Sequence, residues 1–373
     1  MKLLFFINSL AAGGAERVTV NLANYWALYG WDVHLVTISP IRYDFYGLDQ
    51  RVKRWGLDFE DDNRSTLWSL RLKIKTVFAL RRLLNTIQPN VAISMMTDAN
   101  IILSISALGL DAIYLIGSER IYPPLALNKK KHWEWLRKYT YGGLDAMVAL
   151  TEENRQWLSE NTLAKQIEVI GNPLIWPLPE FLPLLSPKKY LNPEKKHLLA
   201  VGRLHPQKQF DLLIRVFKRI AGDYKDWDLV ILGDGEDRSM LECLVADLGL
   251  GESVSLPGVA GNLSEWYYKA DAFVLSSAFE GFPNVLLEAM AHGIPVVSFD
   301  CNTGPRDLIE HGKNGLLVPD GDTAGLEQAI RELLSSEDFR NELGEHAKEV
   351  RQQYSIARIA GRWEKVFSGL WSG

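Results

Sequence analysis

Residues 272–288 read Ala272-Phe273-Val274-Leu275-Ser276-Ser277-Ala278-Phe279-Glu280-Gly281-Phe282-Pro283-Asn284-Val285-Leu286-Leu287-Glu288. The first four residues are apolar without interruption, the pattern of a buried strand. Gly281 and Pro283 then mark a turn, and Pro283 sits near the first position of a helix. A strand that is apolar throughout and runs straight into a helix belongs to a parallel sheet covered by helices on both faces.

The same alternation extends in both directions. Short apolar runs at 197–201, 229–232, 254–256, 295–298 and 315–318 surround the quoted stretch, and runs at 3–7, 33–38, 91–94, 112–116, 146–150 and 167–170 precede it. Between the two groups the texture changes. Pro173, Pro177, Pro179, Pro183, Pro187 and Pro193 crowd one segment, which reads as a linker. The expectation is an α/β protein with two doubly wound, Rossmann-like domains, whose ligands bind at the carboxyl ends of the strands. Two such edges facing each other would make a central cleft.

Composition agrees with that scale. The chain has 373 residues, 47% of them hydrophobic and 23% charged, enough for two folded domains and unlike a disordered chain. A net charge of −5 gives no reason to expect a nucleic-acid partner. Cys243 and Cys301 have no metal spacing and fit a reducing compartment. The run after Met1-Lys2 is cut at Asn8 and Ser9, too early for a signal peptide. No apolar run reaches the length of a membrane span; the nearest, 91–117, is broken by Asp98 and Asp111.

Three further stretches sit where strands end. Ala11-Ala12-Gly13-Gly14-Ala15-Glu16-Arg17 follows the first strand and opens a helix, a place where backbone N–H groups can meet an anion. A turn required only for packing explains the two glycines equally well, and the G-x-G-x-x-G of a dinucleotide site is absent. Gly202-Arg203-Leu204-His205-Pro206-Gln207-Lys208 follows the strand at 197–201 and sets a planar guanidinium and a mobile ammonium near a ligand edge. The plainer account is a pair of solvated charges. Gly233-Asp234-Gly235 reads chiefly as a simple turn. In the opening stretch, Gly281 and Pro283 expose helix N–H groups suited to a diphosphate. Glu288 lies about two turns farther along, where a carboxylate can accept both hydroxyls of a ribose. Two unrelated surface glutamates are the alternative there.

These elements together resemble the retaining GT-B glycosyltransferases of family 4. Glu280 and Glu288 match the family's E-x7-E signature, and Gly202-Arg203-Leu204 with Lys208 matches its G-R-L-x-x-x-K element. Gly13-Gly14-Ala15-Glu16-Arg17 matches the N-terminal glycine loop of members that act on polyprenyl-linked glycans, and Asn314-Gly315-Leu316-Leu317-Val318-Pro319 matches another family stretch. The resemblance spans nearly the whole chain, in family order. It implies an acceptor-binding domain over 1–175, a linker over 176–193, a nucleotide-sugar domain over 194–352, and a last helix over 353–373 that returns to the first domain.

By the same resemblance, Arg203, Lys208 and Glu280 are the catalytic set. The donor is held by Gly202, Arg203, Lys208, Glu280, Gly281, Phe282, Pro283, Asn284, Val285 and Glu288, and the acceptor by Gly13, Gly14, Arg17 and Arg120. Arg120, in Ser118-Glu119-Arg120, stands where many members carry a His; a guanidinium can bind phosphate but cannot be a general base. The activity implied is transfer of a sugar from a nucleotide-sugar to a polyprenyl-diphosphate-linked glycan, with no metal and no cofactor. A non-catalytic nucleotide-sugar-binding module and a sugar-nucleotide epimerase are the alternatives.

Charge is distributed unevenly along the chain. Residues 1–170 hold 20 Lys and Arg against 17 Asp and Glu, and residues 171–373 hold 21 against 29. Arg71, Lys73, Lys75, Arg81 and Arg82 alternate with apolar residues over 69–84, and Lys129-Lys130-Lys131-His132-Trp133-Glu134-Trp135 mixes cations with indoles. Both suit an anionic membrane surface, which places the protein at the inner face of the cytoplasmic membrane. A helix that merely covers the sheet with its cations solvated explains 69–84 as well.

Overall fold

The computed structural model describes residues 1–59, 66–125 and 131–371. The chain divides into two compact units, Met1–Pro173 with Ile356–Gly373, and Leu174–Ser355.

In the first unit the order is β1 (Lys2–Ile7), α1 (Gly14–Leu28), β2 (Asp32–Thr37), β3 (Lys53–Gly56), α2 (Thr66–Ile87), β4 (Val91–Met95), α3 (Thr97–Ser106), β5 (Tyr114–Ser118), α4 (Lys131–Thr140), β6 (Ala146–Ala149), α5 (Glu152–Asn161) and β7 (Ile167–Val169). The strands form one parallel sheet in the order β3-β2-β1-β4-β5-β6-β7. β1 lies between β2 and β4, so the winding reverses at its side and opens a crevice beyond the carboxyl ends of β1 and β4.

The second unit runs β8 (Lys196–Val201), α6 (Phe210–Ile220), β9 (Trp227–Leu232), α7 (Arg238–Asp247), β10 (Val254–Gly258), α8 (Leu263–Tyr267), β11 (Ala272–Leu275), α9 (Asn284–Ala291), β12 (Val296–Asp300), α10 (Pro305–Leu308), β13 (Leu316–Pro319), α11 (Thr323–Ser335), α12 (Glu337–Ala347) and α13 (Val350–Gln353). Its sheet is parallel in the order β10-β9-β8-β11-β12-β13, and the winding reverses between β8 and β11. The central strands are buried along their length, which is why they read as unbroken apolar runs.

Two sequence expectations are corrected. β3 was not among the expected strands. Lys53-Arg54-Trp55-Gly56 alternates exposed and half-buried positions at a sheet edge, so it carries no apolar run. Arg54 is held there by Asp44 at 2.7 Å. The proline-rich segment expected as a linker packs on the second unit. Phe181 N–H donates to the Gly261 carbonyl at 3.1 Å, Gly261 N–H to the Pro183 carbonyl at 2.7 Å, and Trp266 Nε1 to the Leu185 carbonyl at 2.9 Å. Its prolines remove donors, and these groups of the segment pair with Gly261 before α8 and with Trp266 on α8.

The last helix, α14 (Ile356–Trp371), belongs to the first unit. Ile359, Trp363, Val366 and Phe367 are buried along one face. Trp26 is fully buried against it, its ring 5.5 Å from Phe367, 5.9 Å from Phe5 and 5.6 Å from Trp31. Its Nε1 donates to Glu364 at 2.8 Å, which satisfies the indole's polar end. Trp26→Ala is expected to destabilise the first unit by about 3–5 kcal/mol. Chemical denaturation followed by tryptophan fluorescence checks this, and a shift below about 1 kcal/mol would mean that α14 does not depend on the Trp26 contact.

Candidate active site at the second switch point

The loop after β8 is fixed by its neighbour. Gly202 N–H donates to the Leu232 carbonyl at 2.9 Å, and Leu204 N–H to the Asp234 carbonyl at 3.0 Å. Gly233 has φ +140°, and a side chain there would collide with the Gly202 carbonyl. The Gly233-Asp234-Gly235 turn therefore clamps the arginine loop, a role the sequence did not disclose.

Lys208 and Glu280 meet across the β8–β11 reversal. Lys208 Nζ lies 2.5 Å from Glu280 Oε1, and Ser277 Oγ donates to the same oxygen at 2.6 Å. Both partners are largely buried, with side chains 16% and 8% exposed. Glu280 Oε2 has no hydrogen-bond partner among the described residues. The two loops are also tied by backbone. Ala278 N–H donates to the Gln207 carbonyl at 2.8 Å, Gln207 Nε2 to the Phe279 carbonyl at 2.7 Å, and Ser276 Oγ to the Lys208 carbonyl at 2.7 Å. Arg203, on the same loop as Lys208, is exposed and has no ion pair among the described residues.

A third loop, after β12, completes the cluster and was missed from sequence. Thr303 donates its hydroxyl to the Glu280 carbonyl. Its φ is +72°, a region that a β-branched residue rarely enters. Gly304 follows at φ +98°, where a Cβ would come within 2.6 Å of Pro283 Cδ. Nothing in the spacing of the E-x7-E stretch points to a residue 23 positions beyond Glu280. Burial, with Glu280 nearby, pushes the Cys301 thiol up to about 12, so it is inert at neutral pH.

Pro283 is the N-cap of α9 rather than its first helical residue, and its carbonyl accepts from Leu286 at 3.0 Å and Leu287 at 3.1 Å. Gly281, Phe282, Asn284 and Val285 line this turn, with Phe282 buried. Glu288 is buried on α9 and accepts from Tyr267 Oη at 3.2 Å.

The first unit assembles a different set. Gly13 is the N-cap of α1, its carbonyl accepts from Tyr46 Oη at 3.1 Å, and a side chain there would run into Glu16. Gly14 is exposed and Arg17 half-buried. Burial raises the Glu16 carboxyl above the usual range. Glu119, fully buried after β5, accepts hydrogen bonds from the hydroxyls of Thr97 at 2.9 Å and of Tyr141. Burial and then Glu119 push the Tyr141 phenol far above its ordinary value.

Arg120 follows, 8% exposed. Its Nη1 donates to Asn172 Oδ1 at 2.8 Å and its guanidinium lies 5.7 Å from the Trp363 ring centroid. Nε and Nη2 of Arg120, and Nε1 of Trp363, are buried donors without partners. Burial alone pushes the guanidinium down to about 9, still charged at neutral pH. These donors leave the Arg120 guanidinium with hydrogen-bonding capacity that the described residues do not use. The spacing of Ile359, Trp363, Val366 and Phe367 marks Trp363 as part of an apolar helix face, but nothing in the sequence marks it or Asn172 as a neighbour of Arg120, because they meet only through folding.

Two parallel Rossmann-like units of this kind are the GT-B fold of glycosyltransferases. Residues 184–350 match the family model "Glycosyl transferases group 1", and residues 12–174 match "Glycosyltransferase Family 4". A Campylobacter jejuni alpha-1,4-N-acetyl-D-galactosaminyltransferase, whose name gives a diNAcBac-PP-undecaprenol-linked glycan as acceptor, is 30% identical over 99% of this chain and 98% of its own. Among solved structures, the sucrose-phosphate synthase of Thermosynechococcus elongatus superposes with TM-score 0.85 at 18% identity, covering 100% of both chains. Anabaena HepE in complex with UDP superposes with TM-score 0.78 at 18% identity, covering 99% of this chain and 100% of its own. The chain belongs to glycosyltransferase family 4.

Because Lys208 and Glu280 are a buried pair, removing one leaves the other's charge uncompensated. Lys208→Ala is expected to destabilise the second unit by about 3–5 kcal/mol. Combining Lys208→Met with Glu280→Gln should recover most of that loss while leaving the enzyme inactive. Denaturant unfolding of both variants checks it, and equal stability of the single and double variants would argue against the pair.

Proposed function

We propose that the chain is a retaining glycosyltransferase that moves a hexose or N-acetylhexosamine from a UDP-linked donor to a polyprenyl-diphosphate-linked glycan. The observation that carries this reading is the cluster at the β8–β11 reversal. There, unpaired Arg203 shares a loop with Lys208, and Lys208 is locked to Glu280. Departure of a nucleoside diphosphate builds negative charge on phosphate oxygens. Prepositioned cations stabilise that charge without reorganising as it forms. Arg203 supplies a two-pronged donor and Lys208 a point charge. The free Oε2 of Glu280 can accept from a hydroxyl of the donor sugar, and Glu288 from the ribose. With the leaving diphosphate assisting the incoming hydroxyl on the same face, the sugar keeps its anomeric configuration. No metal is needed in this scheme, because the protein's cations neutralise the leaving group.

The UDP assignment is supported by the HepE neighbour solved with UDP, and the acceptor assignment by the name of the Campylobacter relative. In the first unit we assign the acceptor's phosphates to Arg120, with Gly13, Gly14 and Arg17 of the first switch point beside the glycan. A lipid-linked glycan acceptor supports a working place at the inner face of the cytoplasmic membrane. No described helix is long and apolar enough to cross a membrane. On α2, Leu80 and Leu84 face the core, while Arg71, Ile74, Lys75, Phe78 and Arg82 are exposed together. Their spacing puts these five on one helical face, basic and apolar, as surface binding requires. Lys129 and Lys130 lie outside the described residues; Trp135, on α4, is 60% exposed.

The test is a panel of nucleotide-sugars assayed in chelator against isolated lipid-linked glycans, with the product anomer read by NMR. Wild type should turn over a UDP-sugar with retention, and Arg203→Ala should lose about 100- to 1,000-fold in kcat at unchanged stability. Inversion, dependence on added divalent metal, or normal turnover in Arg203→Ala would each overturn the corresponding part of the scheme. Separately, anionic vesicles should sediment the protein at low salt, and Phe78→Ser with Lys75→Glu should abolish this. Vesicle binding unaffected by that double substitution would remove α2 from the membrane contact.

A further inference from the structure

The second unit contains a cavity of about 540 Å³ far from the cluster just described. His197 stands near the start of β8, and Ala270 and Asp271 immediately precede β11, so the cavity opens at the amino ends of these strands. Lys208 and Glu280 follow the carboxyl ends of the same two strands. A strand of six residues separates the two edges by roughly 20 Å.

The lining is chemically specific. Lys188, Lys195 and Lys269 surround it, with Leu191 and Tyr268 as apolar wall. Lys195 is matched by Asp228 at 2.7 Å. Lys188 and Lys269 are exposed and have no ion pair among the described residues. The carboxylate on the wall, Asp271, accepts the His197 backbone N–H at 2.8 Å. His197 is itself 5% exposed, and its Nδ1 is a buried ring nitrogen without a hydrogen-bond partner. Burial lowers the basicity of this ring, against the opposing pull of Asp271 and Asp228, so it stays neutral at pH 7. The volume is that of a small-molecule site.

We propose that this cavity is a second ligand site, which takes a phosphate monoester on Lys188 and Lys269 and packs the ester's body against Leu191 and Tyr268. Two uncompensated ammonium groups ask for a dianion. The wall of Leu191 and Tyr268 asks for a ring or chain attached to it. The proposal is for binding at this site. It goes beyond the donor and acceptor assignments and does not depend on them.

The phosphate can come from a soluble sugar phosphate or from a lipid headgroup, and the experiment separates the two. All measurements use full-length protein carrying Arg203→Ala, so that phosphate held at the β8–β11 cluster does not mask the effect. Calorimetric titration with a hexose 1-phosphate is compared between this background, the same with Lys188→Ala and Lys269→Ala, and the same with Lys189→Ala and Lys225→Ala as an exposed-lysine control. In parallel, the three proteins are sedimented with phosphatidic acid vesicles, whose headgroup is a phosphate monoester, and with phosphatidylglycerol vesicles of matched charge, so that the α2 contact enters both alike. The expected result is ester binding that Lys188→Ala with Lys269→Ala weakens about tenfold or more and the control leaves unchanged. Loss, in that variant alone, of a preference for phosphatidic acid over phosphatidylglycerol, without ester binding, would identify the phosphate as a lipid headgroup. Both lysines are exposed, so the thermal midpoint should not move. If neither ester nor vesicle binding depends on these two lysines, the cavity is not a phosphate site.

Discussion

The ion pair between Lys208 and Glu280 joins loops that leave adjacent strands wound in opposite directions. An isolated buried charge of either sign would be expensive, so each residue requires the other. Gln207, Ser276, Ser277 and Ala278 add hydrogen bonds between the same two loops. The pair thereby fixes where the chain after β8 must lie relative to the turn before α9. It also leaves two groups on that framework unspent, the Arg203 guanidinium and one oxygen of Glu280. A site for a charged leaving group needs rigid support and unsatisfied donors at once, and this arrangement supplies both.

The backbone around the pair carries the strain that such fixing demands. Thr303 and Gly304 adopt left-handed conformations to bring the β12 loop onto the Glu280 carbonyl, and Gly233 does so to clamp the loop holding Arg203. Three loops from three strands converge on Glu280, those after β8 and β11 at its carboxylate through Lys208 and Ser277, and the β12 loop at its main-chain carbonyl. The first unit solves the related problem differently. Glu119 is buried in a network of hydroxyls from Thr97 and Tyr141, and the cation next to it, Arg120, is left with two orphan donors. One unit thus neutralises its cation and carboxylate against each other, while the other keeps them apart.

Much of this was readable from the residues. Strands such as 272–275 and 197–201 are buried on both faces, so their apolar runs betray them without any knowledge of the fold. The glycine turn and the spacing of Glu280 to Glu288 are local, and local spacing survives in a sequence. β3 escaped because an edge strand need not be apolar. The proline-rich segment misled because proline density signals irregular backbone and does not say whether that backbone is packed. Ser277 was in plain view but had no reason to be chosen over Ser276. The contacts of Thr303, Asn172 and Trp363 were beyond reach, since their partners lie 23, 52 and 243 positions away in Glu280, and in Arg120 for the other two.

We propose that the β8–β11 reversal of the second unit holds a nucleoside diphosphate through Arg203 and Lys208. Calorimetric titration of UDP into wild type and Arg203→Ala tests it without requiring the acceptor or the donor sugar to be known. Arg203 is exposed and unpaired, so its removal leaves the fold intact and any change reports binding alone. One UDP should bind per chain, with an affinity about tenfold or more weaker in Arg203→Ala. UDP bound equally well by both proteins would contradict it.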